Sequence, residues 1–336
     1  MKRVLVVGCG FSGATIAREL AENNCDVTII DKRDHIGGNA FDFINEHGIR
    51  IHKYGPHIFH TNNEKVFTWL SRFTNWVTYK HKVKGMLASG ELVTLPINRI
   101  TKEKVGENNL VETFIRPYSE KMWNMPLEQL DPAILNRVPM RDDDNEYYFP
   151  NDDFQYMPVD GFTKLFENIL NHPSIKVRLK TEFNKVMESD FDHVFNSMPI
   201  DQYYDYVYGQ LPYRSIKFHE INLPLPRLFP VSVVNFTHRS PYTRIVEWKN
   251  FPNHGENDSN TTVTYEEPCD YLDNFMERFY PVKDISGKNQ LTYQKYHSIE
   301  NKKVTFIGRL GLYQYLDMHQ CINISLTTAK KYLRNE

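Results

Sequence analysis

The stretch VLVVGCGFSGATIAREL, residues 4–20, decides the fold of this chain. Its first four residues form a continuous apolar run, which is typical of a strand buried on both faces. Glycines follow, and apolar residues then recur at helical spacing, so we expect a helix up to about Asn23. A second apolar run, Val27–Ile30, comes next. This order predicts a β-α-β unit, and such units imply a parallel sheet with a right-handed crossover.

The glycines of this stretch, Gly8, Gly10 and Gly13, have the spacing G-x-G-x-x-G between a predicted strand and a predicted helix. One such glycine makes the tight turn, one lets the backbone approach a pyrophosphate, and one lets helix pack on strand. The free N–H groups at the helix start favour the anion. Asp31 ends the second strand about 20 residues further on, where its carboxylate can accept a hydrogen bond from a ribose hydroxyl. The pattern predicts a dinucleotide site.

The residues after Asp31 indicate which dinucleotide binds. The basic residue Lys32 and the later pair Gly37–Gly38 resemble the extended fingerprint of flavoproteins, which favours FAD over NAD. A late apolar strand ends at Ile307, and the Gly308–Arg309 pair that follows it resembles the second FAD contact of such proteins.

Composition excludes several other classes of protein. The chain has 336 residues with a net charge of −2, so it carries no global basic field for nucleic acid. No apolar run approaches the ~20 residues of a membrane helix, and the first run stops at Gly8, too early for a signal peptide. The four cysteines form no CxxC pair, which indicates a reduced cytoplasmic protein without a metal site. Aromatic residues make up 13%, which indicates either a large core or a surface that stacks bases or sugars.

We therefore predict an α/β fold with a Rossmann-like FAD-binding domain, a small helical insertion domain and an antiparallel β-sheet region. The FAD-binding parts are expected at 1–70, 171–210 and 296–336, a reduced helical domain at 71–139, a sheet, lid and linker region at 140–170, and an antiparallel substrate region at 211–295. Expected helices cover Glu103–Trp123, broken by Pro117 and Pro126, then Phe162–Leu170, then about Met318–Leu333 with Asp317 as N-cap. Expected strands include Val177, Leu179 and Phe183, followed by Val194 and Phe195.

Nine segments spread over the chain carry a more specific resemblance. They are GGNA (37–40), HKYGPHIFHTN (52–62), YSEKMW (118–123), PVDGFTKL (158–165), PIDQY (199–203), PYTRIVE (241–247), YPV (280–282), GRL (308–310) and YLDMHQ (315–320). In this order they resemble the bacterial type of UDP-galactopyranose mutase family.

The resemblance implies an isomerase that uses reduced FAD without net redox change. In that family the flavin N5 atom attacks the anomeric carbon of a nucleotide sugar, and the resulting flavin–sugar adduct lets the pyranose ring reclose as a furanose. UDP-galactopyranose is the default substrate, with dTDP-fucose and UDP-N-acetylgalactosamine as alternatives. An external reductant and a homodimer are implied as partners, although the chain is shorter than family members between Phe73 and Tyr118.

The residues that such chemistry needs can be named. A diphosphate leaving group calls for arginines, which grip phosphate with two donors, and for tyrosine hydroxyls. The resemblance assigns catalytic roles to His57, Arg141, Arg244 and Arg309, with Arg141 in the segment RVPMR (137–141) that closes over the diphosphate. It assigns substrate binding to Tyr118, Trp123, Tyr156, Tyr280 and Tyr315. It assigns FAD contacts to Gly8, Gly10, Phe11, Ser12, Gly13, Asp31, Lys32, Gly38, Asn39, His57, Arg309, Asp317 and Met318.

Two other functions stay open at this point. An amine-oxidase-like FAD oxidoreductase would share the cofactor fold, but an amine substrate needs no diphosphate clamp. A catalytically inactive relative would bind nucleotide without turnover, but the expected arginines and tyrosines are retained. Pro56, Leu316 and the acidic segment 142–146 depart from the family pattern near the sugar or the lid, so the sugar and the base remain open.

Overall fold

The structure, a computed structural model, describes residues 1–132 and 140–334. Its strands are β1 (Arg3–Val7), β2 (Asp26–Ile30), β3 (Asp42–Ile44), β4 (Arg50–His52), β5 (Phe59–Thr61), β6 (Trp76–Thr78), β7 (Val83–Met86), β8 (Leu92–Leu95), β9 (Phe154–Pro158), β10 (Ile175–Arg178), β11 (His193–Asn196), β12 (Tyr213–Leu223), β13 (Val233–Phe236), β14 (Arg244–Glu247), β15 (Thr261–Asp270), β16 (Tyr280–Pro281) and β17 (Val304–Phe306). Its helices are α1 (Phe11–Glu22), α2 (Glu64–Leu70), α3 (Arg99–Val105), α4 (Arg116–Trp123), α5 (Gly161–Leu170), α6 (Ile200–Tyr203), α7 (Lys288–His297), α8 (Gly308–Gly311) and α9 (Met318–Arg334).

A parallel sheet with the strand order β10-β2-β1-β11-β17 forms the cofactor half of the molecule. Its central strand β1 is buried at Val4–Val7, so both of its faces are covered, as the apolar run predicts. Helix α1 connects β1 to the parallel neighbour β2, and α9 packs on α1. The predicted β-α-β unit and the late strand that returns to this sheet are therefore confirmed. The predicted strand near Val177 ends at Arg178, before Leu179 and Phe183.

A mainly antiparallel sheet with the order β16-β12-β15-β14-β13-β7-β8 forms the second half. Its long strands β12 and β15 pair from Arg214 opposite Asp270 to Leu223 opposite Thr261. The predicted antiparallel region is thus confirmed. Two of its strands, β7 and β8, come from the segment expected to be helical from residue 71 onward. Residues Val83–Met86 alternate between buried and half-buried positions, which is the periodicity of a strand. Within the segment expected to be helical, the first helix therefore begins at Arg99.

The helix predicted over Glu103–Trp123 is interrupted at a different place from the one expected. Gly106, with φ of 84°, ends α3, because a glycine adopts this left-handed conformation without a steric penalty. Pro117 lies in the first turn of α4, directly after a π-helical turn at Val111–Ile115, so the chain continues through the proline. Helix α4 then ends at Asn124, ahead of Pro126 as expected.

Two smaller sheets join the halves. Strands β5, β9 and β6 form one antiparallel sheet, and β3 pairs with β4 in the other. The buried Asp42 carboxylate accepts hydrogen bonds from the N–H groups of Phe162 (2.7 Å) and Thr163 (2.8 Å), so β3 supplies the cap of α5. In the part of the chain that the structure describes, no helix combines the length and the apolarity needed to cross a membrane.

Candidate active site

A cleft of about 570 Å³ runs along the carboxyl ends of the central parallel strands. The residues predicted to contact FAD line it, with the exception of Asp317. The lining comes from three separate parts of the chain, 7–57, 181–202 and 275–321. The location agrees with the rule that ligands of such sheets bind outside the carboxyl ends of the strands.

Close backbone contacts explain why glycines are needed here. A Cβ atom added at Gly38 would lie 2.8 Å from the Cα atom of Gly10, and one added at Gly13 would lie 1.9 Å from the carbonyl oxygen of Gly8. The two Gly-rich segments therefore meet without side chains between them. The Asp31 carboxylate accepts hydrogen bonds from the N–H groups of Cys9 (2.8 Å) and Arg33 (3.0 Å), which fixes its orientation at the cleft. These residues fit a dinucleotide.

Arg309 and two tyrosines form the first half of the predicted substrate cluster. The rings of Tyr280 and Tyr315 stack with centroids 5.1 Å apart, and the Arg309 guanidinium lies 5.4 Å and 4.9 Å from their centroids. Arg309 also donates to the carbonyl oxygens of Phe279 (3.3 Å) and Leu316 (2.6 Å). Trp123 packs edge-on against Tyr280 at 6.5 Å. Cation–π and carbonyl contacts thus fix this arginine without neutralising it.

Arg244 and Glu266 form the second half. The Arg244 Nε atom donates to Glu266 Oε2 at 2.6 Å, from neighbouring strands β14 and β15. The Glu266 side chain is 1% exposed, and its second oxygen, Oε1, has no hydrogen-bond partner among the described residues. Burial raises the pKa of Glu266, and Arg244 counteracts part of that rise. Glu266 is not predicted from the sequence, because the pattern YEEP (265–268) does not indicate which residue lies opposite it on the neighbouring strand.

Tyr118 lies among these charged groups. Burial raises its pKa, and Arg244, Glu266 and the hydroxyls of Tyr148 and Tyr315 all act on it electrostatically. Tyr148, whose ring contacts His81 and Phe149, is therefore a further candidate for this cluster that the sequence does not indicate. It stands in the run YYF (147–149), where nothing local distinguishes one aromatic residue from the next.

His57 also lines the cleft, and a chain of hydrogen bonds fixes the loop that carries it. The His57 N–H donates to His52 Nδ1 (3.0 Å), and the Nε2 atoms of His52 and His254 are 3.0 Å apart. His254 Nδ1 lies 2.7 Å from the carbonyl oxygen of Pro252, which can only accept. The partners therefore assign one tautomer to each ring: His254 carries its proton on Nδ1, and His52 donates from Nε2.

The hydrogen-bond partners of His57 also show which of its ring nitrogens carries the proton. Its Nδ1 atom lies 2.8 Å from the carbonyl oxygen of Gly55 and must donate to it, which leaves Nε2 as an acceptor. Burial lowers the pKa of His57 to about 4, although the Gly55 hydrogen bond opposes the shift, and the charges of Arg309 and Arg244 lower it further. His57 is therefore neutral at pH 7, and both arginines lie near it.

Two predicted residues are not brought to this cluster. Arg141 donates to the carbonyl oxygens of Tyr147 (3.0 Å) and Asn145 within its own loop. Tyr156 lies on β9 and stacks on Phe67, with ring centroids 5.1 Å apart. The first three residues of the segment RVPMR (137–141) lie outside the described residues.

The fold and the cleft together define an α/β protein of the dinucleotide-binding type, with a cluster of arginines and tyrosines beside the cleft. A family model described as UDP-galactopyranose mutase matches residues 113–315, and one described as NAD(P)-binding Rossmann-like domain matches residues 6–73. The chain belongs to the UDP-galactopyranose mutase family, which confirms the resemblance found in the sequence. It is accordingly an isomerase with a flavin-binding domain.

Individual relatives agree with this assignment. The chain is 35% identical to dTDP-fucopyranose mutase of Escherichia coli, over 100% of this chain and 99% of that protein. It is also 35% identical to a probable UDP-galactopyranose mutase of Klebsiella pneumoniae, over 99% of this chain and 95% of that protein. A crystal structure of reduced UDP-galactopyranose mutase superposes with a TM-score of 0.77 at 16% identity, covering 100% of this chain and 96% of that one.

Proposed function

We propose that the protein interconverts the pyranose and furanose forms of a nucleoside-diphosphate sugar with reduced FAD bound in the cleft. The observation that carries the proposal is that Arg244 and Arg309 both lie close to His57. Arg309 and His57 line the cleft together, and a Cβ atom added at Gly55, whose carbonyl oxygen accepts from His57, would lie 3.6 Å from Arg244 Nη2. Two cations beside a neutral histidine suit a diphosphate that must leave a sugar and return to it.

Each group of side chains has a distinct task in this proposal. The arginines and the hydroxyls of Tyr280 and Tyr315 would bind the diphosphate in its charged, departed state, which lowers the barrier to cleavage. Tyr118 and Trp123 offer flat faces for the base. His57, being neutral, can accept a hydrogen bond through Nε2 without adding charge. Reduced FAD, when bound, supplies the nucleophilic N5 atom.

We further propose UDP-galactopyranose or dTDP-fucopyranose as substrate, because relatives named for each are 35% identical to this chain. An external reductant would be needed to supply the reduced flavin. Four free cysteines support a location in the reducing cytoplasm. We also propose that the protein forms a homodimer, that Arg141 closes over the diphosphate, that Tyr156 binds it and that Asp317 contacts FAD.

The test is turnover of UDP-galactopyranose, UDP-N-acetylgalactosamine and dTDP-fucopyranose, read by chromatography with and without dithionite. A furanose product only after reduction is the expected result, and the substrate that yields it identifies the sugar and the base. Bleaching of oxidised flavin by a substrate would indicate an oxidoreductase instead. Binding of all three substrates without turnover would indicate a catalytically inactive relative.

A further inference from the structure

An exposed phenylalanine, Phe275, lies in the part of the cofactor cleft that contains Asp31. Phe275 is 93% exposed, the largest exposed fraction among the apolar side chains that the structure describes, and it lines the cleft together with Asp31 and Lys32. A fully exposed phenylalanine side chain forgoes the free energy of apolar burial. Its position at a ligand cleft therefore calls for an explanation.

The turn that carries Phe275 is anchored on both sides. Asn274 donates through Nδ2 to Ser215 Oγ (2.9 Å) and to the carbonyl oxygen of Ile216 (3.1 Å). The Met276 N–H donates to the carbonyl oxygen of Tyr271 (3.0 Å). The ring is thus held at the cleft by a fixed backbone and is not the end of a loose loop.

The backbone of this turn is also unfavourable for its own residues. Phe275 has φ of 50° and Met276 has φ of 63°. Bulky residues rarely adopt this left-handed conformation, and such residues persist where the surrounding structure enforces them, often at ligand contacts.

Ion pairs place the turn at the Asp31 end of the cleft. Glu277 accepts from Arg33 (2.5 Å) and pairs with Lys32 (3.1 Å), the two residues that follow Asp31. The acid at the end of the second strand of a dinucleotide site binds the ribose of the adenosine half. The adenine of a bound dinucleotide would therefore lie at this end, and the flavin would lie near His57.

We propose that Phe275 stacks on the adenine ring of FAD and closes that end of the cleft. The proposal rests on the proposed function, because it takes FAD as the cofactor. Adenine presents a flat face to an aromatic ring, and stacking of a base on an aromatic side chain contributes about 1–3 kcal/mol by alanine substitution. The stack would also remove the phenylalanine ring from water.

The experiment measures release of FAD from the purified holoprotein after dilution, followed by flavin fluorescence. Phe275→Ala is expected to release FAD about tenfold faster than wild type, and Phe275→Trp is expected to restore slow release. Leu272→Ala is the matched control, because Leu272 is an exposed apolar residue of the same turn that does not line the cleft. The flavin absorption spectrum of Phe275→Ala should not change, because the contact is with adenine and not with isoalloxazine.

Equal release rates for wild type and Phe275→Ala would overturn the inference and leave the proposed function intact. So would an equal effect of Leu272→Ala, which would show that the turn matters only for folding. Faster release together with a shifted flavin spectrum would place Phe275 at the isoalloxazine end and also contradict the proposal. Wild-type protein that cannot hold FAD would overturn the proposed function itself.

Discussion

Arg244 and Arg309 both lie near His57 but are held in different ways. Arg244 is paired with the buried Glu266, whereas Arg309 contacts carbonyl oxygens and the stacked rings of Tyr280 and Tyr315. A carboxylate offsets the charge of the first arginine, while the second keeps its full charge for an anion. The two should therefore differ in their contribution to diphosphate binding.

We predict that Arg309→Ala and Arg244→Ala each lower turnover at least a hundredfold, because each removes a preorganised donor to the departing diphosphate. The purified variants should remain yellow, since the glycine cradle and Asp31 stay intact. Furanose formation and absorbance of bound flavin measure the two effects. Arg309→Lys keeps the charge without the two-donor geometry and should be intermediate. Loss of flavin from both alanine variants would contradict the assignment to substrate.

A second prediction concerns the tyrosine that the sequence did not single out. Tyr148→Phe removes a hydroxyl that acts electrostatically on Tyr118, so we expect kcat/KM to fall about tenfold if that hydroxyl also binds the charged diphosphate. The neighbouring variant Tyr147→Phe is the matched control, because the Tyr147 ring lies against Lys80 and Lys82. Equal effects of the two substitutions would remove Tyr148 from the site.

A third prediction concerns the His52–His254 pair. His254→Ala leaves the buried Nε2–H of His52 without its acceptor, so we expect the protein to lose about 1–3 kcal/mol of stability. Because His52 accepts from the His57 N–H, turnover should fall more than flavin binding does. His254→Gln, which retains a side-chain acceptor, should recover part of both. Urea unfolding and steady-state rates are the measurements, and unchanged turnover in His254→Ala would show that the pair does not position His57.

At the residue scale, local signals explain which site residues could be predicted. The glycines and Asp31 belong to a short pattern with a fixed spacing, so the sequence alone predicts their place. Glu266, Tyr148 and His254 each act through a residue far away in the chain. Their partners are set by strand pairing and loop packing, which single-sequence patterns do not encode.

Among the elements, α4 and the turn between β13 and β14 are joined by a single lysine. Lys121 donates to the carbonyl oxygens of Phe236 (3.0 Å), His238 (3.0 Å) and Tyr242 (2.9 Å). Burial lowers its pKa to about 8. The lysine thus links the helix that carries Tyr118 and Trp123 to the strand that begins at Arg244.

We predict that Lys121→Met raises KM for the nucleotide sugar several-fold, because Tyr118 and Arg244 lose their common support. It should lower the thermal midpoint as well, since three partly buried carbonyl groups lose a donor. Retention of FAD should not change. Lys164→Met, on the exposed face of α5, is the matched control. An unchanged KM alongside a lowered thermal midpoint would restrict Lys121 to a stabilising role.

At this scale, the spacing of apolar residues determines which helices and strands can be predicted from the sequence. The apolar run before Gly8 is typical of a buried strand, and the alternation of apolar and polar residues from Leu211 to Glu266 is typical of antiparallel strands. Both form as predicted. The apolar spacing over Glu103–Trp123 predicts a helix broken by Pro117, yet the chain breaks at Gly106 and forms a π turn before Pro117. Neither interruption changes the apolar periodicity, so the periodicity does not reveal them.

For the whole molecule, buried histidines link stability to pH. Burial lowers the pKa to about 4 for His57, His193 and His254, to about 3 for His81, and well below the usual range for His52. The unfolded chain takes up these protons near pH 6.5, whereas the folded chain does not. The unfolded state therefore binds more protons below pH 6.5, so stability must fall as the pH falls toward 4.

We predict a loss of up to about 1.4 kcal/mol per pH unit for each such histidine as the pH falls from 6.5 to 5. Urea unfolding at pH 7.5, 6.5, 5.5 and 5.0 measures it. His193→Asn should reduce the slope, while His297→Asn, on an exposed face of α7, should not. A free energy of unfolding that is constant between pH 7.5 and 5.0 would contradict the prediction.

The cofactor cleft is assembled from segments that lie far apart in the sequence, so it cannot form until the last of them has been synthesised. Strand β17 and helix α9, which complete the parallel sheet and cover α1, lie within the final 33 residues described, 302–334. A nascent chain on the ribosome has its glycine turn about 300 residues before Arg309 and Met318 are added. The proposed FAD therefore cannot be held until these residues have been synthesised. Until then β1 and α1 have uncovered apolar surfaces that chaperones would have to shield.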